Sequence, residues 1–132
     1  MSAVIRVVAA VVLDARAHVL VVRKRGTTAF MQPGGKLEPG ETPLQALHRE
    51  IAEELGVGIV ADSVRELGHH DAAAANEPGH RVAADLFFVE LDGPPTAAAE
   101  IAEMAWIDPH DPGDIELAPL TRDTVLEFVR VS

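Results

Sequence analysis

The most restrictive feature of this sequence is a turn-rich loop that runs directly into a well-capped helix. Residues 32–41 read QPGGKLEPGE, and two prolines and three glycines in this stretch predict a structured loop without regular secondary structure. Thr42 is a favourable N-cap, Pro43 suits the first helical position, and Gln45 lies where a capping box requires it. Together they predict a helix from Pro43 to Leu55, which ends at a glycine as many helices do.

The predicted helix has an apolar flank and an acidic flank. Its apolar residues recur at helical spacing, and three glutamates related by i, i+3 and i+4 fall on the adjoining flank. The apolar residues are Leu44, Leu47, Ile51 and Leu55, and the acidic residues are Glu50, Glu53 and Glu54. Neighbouring like charges destabilise a helix by about 0.2–0.5 kcal/mol, and a hard divalent cation such as Mg²⁺ or Mn²⁺ would remove that repulsion. The alternative interpretation is an ordinary solvated acidic face.

The rest of the chain predicts a mixture of strands and helices. Strands are predicted over residues 5–13, 19–25, 64–70, 81–91 and 104–107, loops over 72–79 and 108–114, and a closing helix over 120–130. This order of strands, helix, strands and helix favours a mixed α/β fold with an antiparallel component. A length of 132 residues fits one domain spanning residues 1–132.

Composition and charge exclude several classes of protein. The chain has no cysteine, which excludes disulfides and thiolate metal sites. The apolar run from Val7 to Leu13 is far shorter than the roughly 20 residues that span a bilayer, so we expect a cytoplasmic protein that does not bind membranes. A formal net charge of −10 should repel nucleic-acid polymers. It should also repel a small polyphosphate, so an anionic substrate would need a cation between itself and the protein.

Residues 35–57 match a known family signature at every defined position. Gly35 is followed by five residues, Glu41, seven residues, Arg49-Glu50-Ile51, one residue, Glu53-Glu54, one residue and Gly56-Val57. These nine positions in 23 residues look like the complete box of the Nudix hydrolase family. The resemblance implies an α/β/α sandwich around a mixed sheet, with the box forming a loop, a helix and a loop. It also implies hydrolysis of a nucleoside diphosphate linked to another group.

The resemblance assigns the metal site to the acidic helix. It implies that Glu50, Glu53 and Glu54 bind a divalent metal, either Mg²⁺ or Mn²⁺ in its place, and that the Gly35 carbonyl joins them. Either Glu53 or Glu50 would orient or deprotonate the attacking water. The chemistry is consistent with the acidic charge of the chain, because a metal neutralises phosphate charge and lowers the pKa of bound water.

Arg49 and Glu41 match the pair of the signature that braces the loop against the helix. The resemblance therefore places both in the catalytic machinery. Arg49 also lies four residues before Glu53, so a simple ion pair on the helix surface is the alternative role for it.

Several residues outside the signature are candidates for substrate or metal binding. Arg23 and Arg25 share a face of the second predicted strand by alternation and could bind a phosphate, or they could be ordinary solvated residues. Many Nudix proteins have a further acid, serving as metal ligand or base, in the region that Glu100 and Glu103 occupy here. Glu77 is a loop alternative for the same role.

The histidines and aromatic residues give weaker signals. His69 and His70 are adjacent, so in a strand they point to opposite faces and suit a shared metal site poorly. A nucleotide site is expected to contain a stacking residue, but core packing is the better interpretation for most of the aromatic residues. The possibilities are Phe30, Phe87, Phe88 and Trp106.

The resemblance leaves the substrate open among several small phosphoanhydrides. We expect a nucleoside triphosphate, as for MutT-type members, because no extra domain or long insertion is visible. The alternatives are a nucleotide sugar such as ADP-ribose, a dinucleoside polyphosphate, or a nucleotide-binding module without catalysis. Relatives that act on oxidised guanine nucleotides often have an aromatic residue before Pro-Gly-Gly, and Gln32 stands there instead. Nudix proteins are often dimers, so a homodimer is a further expectation.

Overall fold

The chain folds around a four-stranded mixed sheet and a two-stranded sheet. A computed structural model describes residues 3–131. Its elements are β1 (Val4–Val11), β2 (Val19–Lys24), β3 (Gly34–Lys36), α1 (Pro43–Leu55), a 3₁₀ turn (Ala61–Ser63), β4 (Arg65–Ala73), β5 (Arg81–Phe88), β6 (Ile101–Ile107), a π-helical turn (Thr121–Val125) and α2 (Leu126–Val131). The larger sheet has the order β3-β1-β5-β4, and β2 pairs with β6 in the smaller one.

The larger sheet is mixed because one of its three strand pairs is parallel. β1 and β5 run parallel from the Val4–Arg81 pair to the Val11–Phe88 pair. β3 and β4 flank them in antiparallel orientation. The central strands are apolar on both faces where helices cover them, as expected for strands inside a layered α/β fold.

Alternate residues of β1 and the segment after it face two separate apolar clusters. Val8, Ala10 and Val12 pack with the apolar flank of α1, including Leu47 and Ile51. The residues between them face the C-terminal helical segment, in a cluster that contains Ala9, Val11, Leu120, Val125 and Leu126. The alternation of strand side chains thus places one helical layer on each face, and the predicted α/β/α sandwich is confirmed.

Helix α1 begins and ends where its local sequence predicts. The Thr42 hydroxyl accepts a hydrogen bond from the Gln45 backbone N–H at 3.2 Å, and the Gln45 side chain accepts one from the Thr42 N–H at 2.9 Å. Gly56 has the left-handed conformation, and its N–H donates to the Ala52 carbonyl. Because both ends are fixed, the register of the acidic flank relative to the loop is fixed too.

The prediction that residues 32–41 lack regular structure is wrong for Gly34–Lys36. These three residues form β3, which pairs with Val7, Val8 and Ala9 of β1. The strand is possible because glycine has no Cβ to hinder close backbone approach and because β3 lies at the edge of the sheet. One end of the loop is therefore hydrogen-bonded to the larger sheet through β1.

Several other predicted boundaries shift in the structure. β4 extends to Ala73 and β6 begins at Ile101, so both strands are longer than predicted. β1 and β5 end before the predicted positions, and the closing helix starts with a π-helical turn. β1 and β2 follow each other closely but belong to different sheets. Strand pairing, which the local pattern does not specify, sets these limits. Within residues 3–131 no helix is long and apolar enough to cross a membrane.

The pairing of β3 with β1 requires glycine at position 34. A Cβ atom built on Gly34 would lie 2.0 Å from the Val8 carbonyl oxygen, and the φ of 148° disfavours any side chain. We expect Gly34→Ala to lower the free energy of unfolding by about 3 kcal/mol or more, because strain and overlap act together. Chemical denaturation measures this loss.

Gly40→Ala is the matched control. Gly40 has a φ of 82°, but the space around its Cβ position is open. Its replacement should therefore cost only about 1–2 kcal/mol, the strain of a left-handed alanine. Equal losses for the two variants would contradict the importance of the close approach at Gly34.

Candidate active site

The three glutamates of α1 line one cavity but differ in burial. Glu54 is only 5% exposed, and the Glu50 side chain is largely buried. The Glu53 side chain is 55% exposed. The helix thus presents a series of carboxylates from the protein interior to the solvent, as predicted from the i, i+3 and i+4 spacing.

Glu54 is bound to the loop that precedes the helix. Its carboxylate accepts a hydrogen bond from the Gly34 N–H at 3.0 Å. Burial raises the pKa of Glu54 to about 7, against the lowering effect of that hydrogen bond and of Lys24; the charges of Glu50 and Glu53 raise it further. A carboxylate in this environment is well placed to gain from a neighbouring cation.

Glu50 lies directly against the backbone of Gly35. A Cβ atom added to Gly35 would be 2.7 Å from the carboxyl carbon of Glu50, so no other residue fits here without displacement. The glycine brings a backbone carbonyl and a carboxylate together at the cavity wall, which both residues line.

Arg49 joins the loop to the helix. Its Nε and Nη2 atoms donate to the two carboxylate oxygens of Glu41, each at 2.8 Å, and Nη2 also donates to the Lys36 carbonyl at 3.1 Å. Its Nη1 atom donates to Glu50 at 2.6 Å. Hydrogen bonding to Arg49 lowers the pKa of Glu41 to about 2, and the same contact raises the pKa of Arg49. The predicted bracing geometry is present. The alternative contact to Glu53 is longer, at 3.7 Å.

The cavity joins this charged region to an aliphatic region. It has a volume of about 780 Å³, which is within the usual range of small-molecule sites. Its charged lining includes Lys24, Lys36, Glu50, Glu53, Glu54, Glu77 and Glu100. Its aliphatic lining includes Ile5, Val7, Met31, Val82 and Leu120. A molecule with a polyanionic part and an uncharged part fits this division.

Arg23 and Arg25, which were predicted to share a strand face and to bind a phosphate or be solvated, do not line the cavity. Arg23 is paired with Glu103, with Nε 2.9 Å from Oε1, and Arg25 lies beyond the end of β2. The pairing irregularity beside Arg23 inserts its extra residue, Ala102, into β6, so the alternation of β2 persists and Lys24 lies on the face opposite Arg23. Lys24, which sequence reasoning missed, is the residue of this group that lines the cavity.

The structure separates the other acidic candidates. Glu100 and Glu77 line the cavity, and Glu77 lies 3.9 Å from the Lys36 amine. Glu103 is held by Arg23, its cross-strand neighbour on β2. Ala99, with a left-handed φ of 52°, forms the turn that precedes β6 and orients its neighbour Glu100.

The histidines and aromatic residues lie away from this cavity. His69 pairs with Asp85, and the His70 ring contacts the Leu67 carbonyl and the edge of Phe128. Phe30 and Phe87 are buried in the apolar clusters, Phe88 packs against one of them, and Trp106 borders a different depression. None of the described residues that line the cavity is aromatic.

Among residues 3–131 no three acidic or histidine side chains stand in an arrangement that could hold a metal ion directly. Two of the three glutamates are engaged, Glu50 by Arg49 and Glu54 by the Gly34 N–H. The donor chemistry nevertheless fits a hard cation, because carboxylates and the Gly35 backbone line one cavity.

A comparison with protein families decides the assignment of this fold and site. The model of the NUDIX domain matches residues 4–128, nearly the whole chain. The chain belongs to the Nudix family. The cavity beside α1 is therefore built on the Nudix box, and the resemblance of residues 35–57 is confirmed.

Individual Nudix relatives match over different lengths. A Bacillus subtilis protein named as a candidate 8-oxo-dGTP diphosphatase is 28% identical over 101 residues, which cover 75% of this chain and 63% of the relative. An RNA pyrophosphohydrolase of Halorhodospira halophila is 49% identical over 41 residues, 31% of this chain and 23% of the relative. The chain thus spans less than two thirds of each.

A solved structure of a candidate Nudix hydrolase family member from Chromobacterium violaceum has the same fold. It superposes with a TM-score of 0.75 at 28% sequence identity, over 99% of this chain and 80% of the other. The mixed sheet and the two helical layers described above are thus those of the Nudix fold.

The brace between Arg49 and Glu41 should be visible in the titration of Glu41. In Arg49→Lys a single ammonium replaces the two-pronged guanidinium, so the pKa of Glu41 should rise from about 2 toward its ordinary value of 4.5. Because the folded pKa lies below the ordinary value, Glu41 stabilises the fold above pH 4.5, and this contribution is lost as pH falls toward 2. NMR titration of the Glu41 carboxyl carbon measures the change.

Arg122→Lys is the control, because Arg122 holds the carboxylate of Asp123 on the surface at 2.8 Å. This substitution should change the titration of Asp123 and leave that of Glu41 unaffected. If Glu41 titrates identically in Arg49→Lys and in the unmodified protein, Arg49 is not its principal partner.

Proposed function

We propose that this chain hydrolyses a diphosphate linkage in a small nucleotide, most readily a nucleoside triphosphate as in MutT-type members of the family. The observation that carries the proposal is a single cavity with three helix carboxylates at one end and an aliphatic wall at the other. Such a cavity accommodates both parts of a nucleotide. The names of the relatives, a candidate 8-oxo-dGTP diphosphatase and an RNA pyrophosphohydrolase, describe the same bond type.

The proposal includes a divalent metal, Mg²⁺ or Mn²⁺, held by Glu50, Glu53, Glu54 and the Gly35 carbonyl. When bound, such an ion neutralises the phosphate oxygens and lowers the pKa of a bound water. Metal binding by these residues requires the Glu50 carboxylate to contact both Arg49 and the ion. The buried Glu54 would remain anchored through the Gly34 N–H.

Glu53 is the residue we propose as the group that orients or deprotonates the attacking water. It is the most exposed of the three glutamates, and its ion pair with Arg49 is long, at 3.7 Å. Glu50 is the alternative, but its Oε1 atom accepts a short hydrogen bond from Arg49 at 2.6 Å. Glu100 also lines the cavity and is a further candidate base, whereas Glu103 is occupied by Arg23.

Two lysines place positive charge at the cavity of this acidic protein. Lys24 and Lys36 both line it, and Lys24 is close enough to Glu54 to lower its pKa. We propose that they contact phosphate oxygens in place of the predicted Arg23 and Arg25. The net charge of −10 favours a small phosphoanhydride over a nucleic-acid polymer. A cytoplasmic location and a homodimer stay predictions.

The proposed activity predicts metal-dependent cleavage of one substrate class. The purified protein would be incubated with Mg²⁺ or Mn²⁺ and canonical triphosphates, oxidised triphosphates, nucleotide sugars and dinucleoside polyphosphates, and products would be followed by chromatography. A triphosphate substrate should yield a nucleoside monophosphate and pyrophosphate. Cleavage of a nucleotide sugar or dinucleoside polyphosphate instead would select the corresponding alternative.

Glu54→Gln should lower turnover by about a hundredfold or more, because an amide replaces an anionic metal ligand. The fold should persist, since the glutamine oxygen can still accept the Gly34 hydrogen bond. Glu127→Gln, which changes an acid on the C-terminal helix, is the control and should retain full activity. Near-native turnover of Glu54→Gln would contradict the ligand assignment. No cleavage of any compound by a folded, metal-bound protein would favour a binding module.

A further inference from the structure

Two buried polar side chains meet in the aliphatic half of the cavity. Gln32 is 5% exposed and Thr121 is 1% exposed, and both line the cavity. The Thr121 hydroxyl donates to the Gln32 side-chain oxygen at 3.0 Å, although the two residues are 89 positions apart in sequence. Burying polar side chains in an otherwise aliphatic wall costs free energy unless their polar atoms are hydrogen-bonded.

The orientation of the Gln32 amide is fixed by the backbone. Its Nε2 atom donates to the Ala10 carbonyl at 3.0 Å. A carbonyl can only accept, so the amine end must face Ala10 and the oxygen must face Thr121. The Thr121 hydroxyl then has to donate, and its proton is committed to Gln32. Neither side chain can exchange its donor and acceptor roles without losing a buried hydrogen bond.

Fixed roles leave a fixed set of hydrogen-bonding groups for a ligand. Gln32 retains a second N–H as a donor, and the oxygens of Gln32 and Thr121 retain lone pairs as acceptors. The surrounding walls, formed by Ile5, Val7, Val82 and Leu120, offer no hydrogen bonds from their side chains. Asn76 also lines the cavity, but it lies exposed in the loop between β4 and β5, where its amide is free to reorient.

We propose that Gln32 and Thr121 select the organic group of the ligand by its donor and acceptor edge. The selected group is a heterocycle whose edge carries a donor beside an acceptor, in the one order that the fixed pair complements. An amide-type edge has a ring N–H donor beside a carbonyl acceptor, whereas an amidine-type edge has a ring nitrogen acceptor beside an amino donor. Gln32 and Thr121 should therefore distinguish the two types of edge. Because no aromatic residue within the described range 3–131 lines the cavity, this edge rather than ring stacking sets the preference. The inference rests on the proposed nucleotide function.

Binding of nucleoside monophosphates tests this selection without requiring turnover. UMP and CMP differ only in this edge of the base, and so do IMP and AMP. Calorimetric titration should give dissociation constants that differ by about tenfold or more within each pair, since the disfavoured edge leaves buried groups unpaired. Ribose 5-phosphate, which lacks a base, gives the reference affinity.

Two variants connect the preference to the pair. Gln32→Met and Thr121→Val should bring the affinity ratios close to one and leave the binding of ribose 5-phosphate unchanged. Thr121→Ser keeps the hydroxyl and should keep the preference. Thr124→Val, a change in the same helical turn at a residue that does not line the cavity, should also keep it.

The unmodified protein alone can overturn the inference, even if a variant fails to fold. Equal dissociation constants within both pairs, or nucleotides that bind no more tightly than ribose 5-phosphate, would contradict it. A base preference that persists in both Gln32→Met and Thr121→Val would also contradict it. If these variants lose ribose 5-phosphate binding to the same extent as nucleotide binding, the role of the pair is purely structural and the inference fails. Base-dependent binding without hydrolysis would refute the proposed activity and leave this inference standing.

Discussion

The contact of one guanidinium with the loop before α1 holds the rest of the site in place. Arg49 lies among four carboxylates, two from the loop and two from the helix, and also reaches the Lys36 carbonyl. Without this cation, the glutamates on the helix flank would repel each other beside a packed core. With it, β3 is held against the helix, so Gly34 and Gly35 meet Glu54 and Glu50. The proposed metal site depends on these two contacts.

The same arrangement explains how a strongly acidic chain can bind an anion. The negative charge at the cavity is partly balanced by Arg49, Lys24 and Lys36, and a divalent cation would balance the remainder. The aliphatic half of the cavity carries little charge, so in our proposal burial and the Gln32–Thr121 pair bind the uncharged part of the substrate there. This proposal puts charge recognition and recognition of the organic group at opposite ends of one cavity.

The sequence predicted correctly those elements whose conformation depends on neighbouring residues in the chain. Helix α1 was predictable because its cap, its first proline and its terminal glycine act within one turn of it, and the glutamates followed from helical spacing. β3 was missed because its pairing with β1 is nonlocal and glycine is a poor indicator of strands. Lys24 was missed because the prediction followed the strand face that Arg23 and Arg25 share, and Lys24 lies on the opposite face. The Gln32–Thr121 contact joins residues too far apart in sequence for any pattern to relate them.

Paramagnetic broadening by Mn²⁺ tests the central claim most directly, since it locates the ion without assuming a substrate. Trace Mn²⁺ would be added to isotopically labelled protein, and the backbone amide signals would be followed by NMR. The account predicts that signals of Gly34, Gly35 and residues 50–54 broaden first, and that Glu53→Gln combined with Glu54→Gln removes this effect. Broadening centred on another acidic surface, such as the turn at Asp108 and Asp111, would contradict it.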